Sequence, residues 1–169
     1  MDVTVVELAD RFDAAVADVV DIIERCSDKE LRTICRAEGW SVAIVADHIA
    51  VYMPIQRDWI GKVANDAPML PFTDLAIDTF NAWRAEEQAD VTKSEIIALL
   101  RRNHADARDF ILNLSDDQLR RSRPINRIYL DTASRDDRDV ARCVERTLIA
   151  HVRHHYASIA ATLAESDSG

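Results

Sequence analysis

Glycine and proline are scarce in this chain, three and four residues respectively out of 169. That scarcity excludes the dense turns of an all-β protein and favours long, uninterrupted helices. Cysteine is also sparse: Cys26, Cys35 and Cys143 are an odd number with no Cys-x-x-Cys spacing, so neither a disulfide framework nor a thiolate zinc ribbon is expected. The opening Met-Asp-Val-Thr lacks the basic start of a signal peptide, and a reducing cytoplasm is the expected location. No apolar run approaches the roughly 18 residues needed to span a bilayer, so no membrane association is expected. Basic residues number 21 against 30 acidic ones, a net charge of -9, and the two signs are interspersed. No basic stripe is available to neutralise a phosphate backbone, which excludes nucleic acid as an expected partner.

What is present is apolar periodicity. Hydrophobic residues make up 48% of a chain long enough to bury a core without staples. One domain over residues 1–169 is expected, with 165–169 as a frayed tail. Any metal here is therefore not needed to hold the fold.

Four long helical patterns emerge. Residues 3–26 carry Val5, Leu8, Phe12, Val16, Val19, Val20 and Ile23 at three- and four-residue steps. Ser27 to Leu31 reads as a short capped turn, and Gly39 marks a break. Ser41 can cap a second long helix whose inward face holds Ile44, Val45, His48, Tyr52, Ile55 and Trp59, with Pro54 kinking or ending it about one turn past His48. A proline-interrupted excursion over 65–72 leads to a further helix near 74–88. Ser94 is expected to cap a third core helix with Ile97, Leu100, His104, Ala107, Ile111 and Leu114 on one stripe, and Ser115 opens a short turn through Leu119. The polar stretch 120–137 reads as a mobile flap. A last helix from about Asp139 to Ala164 turns Val144, Leu148, His151, His155, Ile159 and Leu163 inward. The expected class is all-α, a four-helix bundle with short accessory helices that builds its site from facing helices.

The histidines carry the chemistry. His151 and His155 are four residues apart, which stacks both imidazoles on one helix face, the spacing that helical metal sites use for two ligands to one ion. His48 sits mid-face on an independent helix, where Val or Leu would be the ordinary core residue. A single inward histidine is ordinarily a hydrogen-bonded core group, but three on facing helices, in a chain with five, point to one divalent ion. Zinc or nickel is expected, and iron also suits such a donor set. His154 lies on the edge of the face, as a partly exposed or reserve group. His104 falls on the apolar stripe and is read as a satisfied core histidine, with fourth ligand and proton shuttle as the alternatives. Asp47 and Glu145 could orient an imidazole, but their faces point away from the histidines, and both are assigned to the solvated surface. Tyr52 is assigned to core packing, with a hydroxyl that could meet a metal-bound group, and all three cysteines are read as structural.

Three segments resemble the DinB/YfiT-like superfamily of small metal-binding helical bundles: Gly39-Trp40-Ser41-Val42 leading into Ala46-Asp47-His48-Ile49-Ala50, then Leu114 to Leu119, and His151-Val152-Arg153-His154-His155-Tyr156-Ala157-Ser158-Ile159. The resemblance implies an up-down-down-up four-helix bundle in which His48, His151 and His155 hold the metal. It also implies relatives that are thiol-dependent enzymes, among them bacillithiol S-transferases and the mycothiol-dependent maleylpyruvate isomerase. The isomerase-like branch has a glutamate where this chain has His151, so the chain is placed nearer the all-histidine branch. The expected function is a divalent-metal-dependent enzyme, an S-transferase using a low-molecular-weight thiol as cosubstrate or a hydrolase, acting on a small molecule. The alternative is a non-catalytic, stress-related metal-binding or homodimeric interaction protein, and a homodimer is expected in either case.

Overall fold

Most helices of this chain begin where the sequence satisfies its own open N–H groups. The computed structural model describes residues 3–68, 74–123 and 138–166. Thr4 caps α1 (Val5–Arg25): its hydroxyl accepts the Glu7 N–H, while the Glu7 carboxylate accepts the Thr4 N–H at 2.8 Å. The same reciprocal box opens α2 (Asp28–Leu31) with Ser27 and Glu30, α5 (Lys93–Leu112) with Thr92 and Glu95, and α6 (Asp116–Arg120) with Ser115 and Gln118. The cap of α5 corrects the sequence expectation. Thr92 rather than Ser94 starts the helix, because only Thr92 has an acid three residues on to complete the box.

Between α2 and the second long helix lies a small hairpin. Strands β1 (Ile34–Cys35) and β2 (Trp40–Ser41) pair antiparallel, with Ile34 opposite Ser41 and Cys35 opposite Trp40. Gly39, at φ +75, closes the turn and donates its N–H to the Cys35 carbonyl at 2.8 Å. That left-handed conformation is one that glycine adopts without steric cost. Ser41 then caps α3 (Val42–Ala64) through the Ile44 N–H. Pro54 lies inside α3, so of the two expected outcomes the helix continues.

Helix α4 (Asp74–Glu87) lies between α3 and α5 in sequence. After α6, strand β3 (Ser122–Arg123) pairs with β4 (Arg138–Asp139), Ser122 opposite Asp139. Most of the expected flap, 124–137, lies outside the described residues, as do 69–73 of the excursion and 167–169 of the tail. The last helix is not one α-helix, contrary to expectation. Asp139 caps α7 (Val140–Cys143), a six-residue π-helical segment follows (Val144–Ile149), and α8 (Ala150–Ser166) completes it. Such widened turns are rare and recur at functional sites.

Four helical columns pack together: α1, α3, α5 and the α7–π–α8 column. Helix α5 packs most extensively on α3 and then on α1, and α8 rests against both α3 and α1. The core between them is built mainly of apolar residues, among them Leu8, Phe12, Ile49, Leu100, Ile111, Leu148 and Ile159. On α5 the buried stripe is Ile96, Leu100, Asn103, Ala107 and Ile111. It shares Leu100, Ala107 and Ile111 with the expected stripe but has Ile96 in place of Ile97 and Asn103 in place of His104. Among the described residues no helix is long and apolar enough to cross a membrane.

Candidate metal centre

Two helices and the hairpin converge on the histidines. His48 sits almost two turns into α3, and His151 and His155 stand one turn apart near the start of α8. His48 Nε2 and His151 Nε2 are 3.2 Å apart. One potential ligand atom from each of His48, His151 and His155 lies within 4.8 Å of the other two. The rings of His151 and His155 meet edge to face with centroids 4.6 Å apart, and His48 meets His155 in the same way at 4.7 Å.

Burial sets the charge state. His48 is pushed down to about 3, first by desolvation and then by His155, against a small opposing pull from Glu38. His151 is held well below its ordinary value by burial and by its histidine neighbours. His155 is lowered by burial as well, although Glu38 works against the shift. All three are neutral imidazoles at physiological pH, the form that donates a lone pair to a cation.

Glu38, which the sequence reading missed, is an acid in direct contact with the cluster. It occupies the hairpin turn before Gly39, and its Oε1 accepts from His155 Nδ1 at 2.9 Å and from the Ser158 hydroxyl at 2.8 Å. Burial raises its pKa, but the Ser158 hydroxyl and the two nearby histidines outweigh that, so the net shift is downward and it stays a carboxylate. The same hairpin brings Trp40 to within 5.4 Å of the His48 ring, centroid to centroid. Only Gly39 in the sequence hinted at a turn here, and nothing in its spacing placed the turn beside the last helix.

The other candidates sort by geometry. His104 is in the satisfied core-edge role: it is bonded to Asp13 at 2.8 Å and tilted against Phe12, away from the cluster. His154 is largely exposed and lies 4.0 Å from Glu38, outside the three-histidine group. Asp47 is a correction. It is 1% exposed, not solvated, because Arg84 of α4 reaches it with two hydrogen bonds at 2.8 and 2.9 Å. Glu145 pairs with Arg11 in a half-exposed ion pair, in keeping with a surface role. The Tyr52 ring packs on His48 at 4.3 Å, and its hydroxyl donates to Asn81 at 2.7 Å. Between α3 and α4, Trp40, Asp47, His48, Tyr52, Phe80 and Arg84 enclose a cavity of only about 10 Å³, room for roughly one water.

The donor set fits a divalent ion. Three neutral nitrogen ligands from two helices match the three-protein-ligand pattern that leaves a coordination position open. His151 Nδ1 is buried with no hydrogen-bond partner among the described residues, so that side of its ring is not fixed by the surrounding protein.

Comparison with known proteins agrees with this architecture. YfiT from Bacillus subtilis, described as a probable metal-dependent hydrolase with an unusual four-helix bundle topology, matches with a TM-score of 0.74 at 17% identity, covering 96% of this chain and 87% of that one. At that identity the likeness establishes the fold. A search of curated proteins gave no match. The family model for the DinB superfamily matches residues 11–159, nearly the whole chain, and the protein belongs to that superfamily.

Proposed function

We propose that this protein is a divalent-metal-dependent enzyme in which His48, His151 and His155 hold the ion, acting as a hydrolase or as an S-transferase toward a low-molecular-weight thiol. The observation that carries the reading is the 3.2 Å approach of His48 Nε2 to His151 Nε2 within a group of three neutral histidines. Two imidazole nitrogens this close can share one proton in a hydrogen bond, and the same spacing suits two ligands of one ion. The superfamily membership and the description of YfiT support the same reading. When bound, the ion would lower the pKa of a coordinated thiol or water and so supply a nucleophile at neutral pH.

This chain's own residues would do the rest. Trp40 and Tyr52 wall the His48 ring, and α4, tied down by Arg84 to Asp47 and by Asn81 to Tyr52, keeps bulk water off that side. His104 is bonded to Asp13, and His154 is largely exposed beside Glu38, so neither belongs to the three-histidine group. That favours an enzyme over a closed structural site. Zinc or nickel is the proposed ion, with iron as the third choice.

Elemental analysis of untagged protein, wild type and separate alanine variants of the three histidines, tests the proposal. About one metal per chain, lost in each variant, is expected; a wild type that takes up no metal after reconstitution removes the reading. The proposed homodimer rests on the exposed Leu75 and Trp83 of α4. A monomer mass in sedimentation removes it.

A further inference from the structure

Glu38 reaches the histidines from an element that carries none of the three. It projects from a turn held by two hydrogen bonds to the Cys35 carbonyl, from the Glu38 N–H at 3.0 Å and the Gly39 N–H at 2.8 Å. Its side chain is only 12% exposed, and one oxygen, Oε1, takes both the His155 Nδ1 proton and the Ser158 hydroxyl. His155 and Ser158 are three residues apart and so share a face of α8. The carboxylate therefore spans one turn of that helix and pins a ring on it.

We infer that Glu38 is the positioning residue of the centre, holding the His155 proton on Nδ1 so that the Nε2 lone pair is presented toward His48 and His151. The inference rests on the metal-centre reading for its purpose, but not for its geometry. An unrestrained neutral imidazole in water keeps its proton mainly on Nε2, the wrong nitrogen for this site. Which nitrogen is free is set by the bond the other one makes. Asp47 and Glu145, the acids the sequence offered for this role, are committed to Arg84 and Arg11.

The test uses the full-length, metal-free, ¹⁵N-labelled protein. Long-range ¹H–¹⁵N correlation spectra report the tautomer of each histidine separately. The wild type is expected to show His155 protonated on Nδ1. Glu38→Ala should move the proton to Nε2, while Glu38→Gln, which keeps an acceptor oxygen, should restore the Nδ1 form. His104, bonded to Asp13 elsewhere, serves as the internal control. Zinc affinity, measured by competition with a chelating dye, should fall about 10- to 100-fold in Glu38→Ala and less in Glu38→Gln and Ser158→Ala. Unchanged His155 tautomer and zinc affinity within twofold of wild type in Glu38→Ala overturn the inference. A wild type that binds no zinc yet shows the tautomer switch overturns the metal reading instead, so the two failures are distinguishable. Should Glu38→Ala lose helical circular dichroism, Glu38→Leu, which removes both acceptor oxygens while keeping the bulk of the side chain, carries the test by the same criteria.

Discussion

Asn103 of α5 donates its side-chain amide to the carbonyl oxygen of Ala50 at 2.8 Å, and Ala50 is the residue whose carbonyl an N–H at position 54 would have bonded. Pro54 has no such N–H. A buried polar side chain on one helix thus repairs the defect that a proline makes in its neighbour, which explains how α3 runs unbroken past residue 54.

The repair predicts a coupling. Asn103→Ala should cost about 1–3 kcal/mol, the usual penalty for a buried group left unpaired. In a Pro54→Ala background, where residue 54 supplies its own N–H, the cost should shrink by at least about 1 kcal/mol. Urea unfolding of the four proteins measures this, and strictly additive costs would show the contact to be incidental.

A second double-mutant cycle concerns Asp47 and Arg84. Removing Arg84 alone strands a carboxylate that is 1% exposed. Breaking such a pair typically costs about 3–5 kcal/mol, and the partial exposure of Arg84 places this one toward the lower end. Arg84→Ala should be more destabilising than the double variant Asp47→Ala/Arg84→Ala, since the second change removes the stranded charge. Equal stabilities would mean that water already reaches Asp47.

Acid should weaken the metal-free fold before its carboxylates titrate. His48 falls from 6.5 to about 3 on folding, so below 6.5 the unfolded chain takes up a proton that the folded chain refuses. Stability is therefore unaffected by this group above about pH 6.5 and is lost as pH falls toward 3, at about 1.4 kcal/mol per pH unit once the unfolded histidine is protonated. His151 and His155 shift in the same direction and steepen the loss. Unfolding free energies of chelator-treated protein between pH 7.5 and roughly pH 5 report the slope. A His48→Ala variant should show a shallower one, and an identical slope would refute the depressed pKa.

Metal should stabilise the fold without being required for it. The apolar core is complete without the histidines, so His48→Ala should keep its helical circular dichroism. Zinc at about 100 times its dissociation constant should add about 2.7 kcal/mol to the wild type and nothing to the variant. Thermal melts with and without zinc measure the difference, and a variant that unfolds outright would make the ion structural.

Much of this was legible in the chain itself. Helix positions followed from apolar spacing and from Ser caps, because both are local properties of the backbone. His48, His151 and His155 could be grouped because two share a helix face and the third interrupts an apolar one. Glu38 could not be found this way. It meets His155 across 117 residues of sequence, through a hairpin whose placement depends on tertiary packing. Asp47 was misplaced for a related reason: its burial is stable only because Arg84 arrives from a separate helix. The cap of α5 was missed by two residues where Thr92 and Ser94 both qualify, and only the partner at Glu95 decides between them.

The six widened residues Val144–Ile149 end two positions before His151. An α-helix advances about 100° per residue, and a π turn takes up one residue more than an α turn. The angular reference of the column is therefore reset between the half that seats Val140 and Val144 in the core and the half that carries the two histidines. Shortening the segment by one residue would restore a regular helix, leave the first half seated and swing His151 and His155 a quarter turn or so away from His48. In this protein the site and the scaffold can drift apart through a change in length alone, with no functional residue replaced.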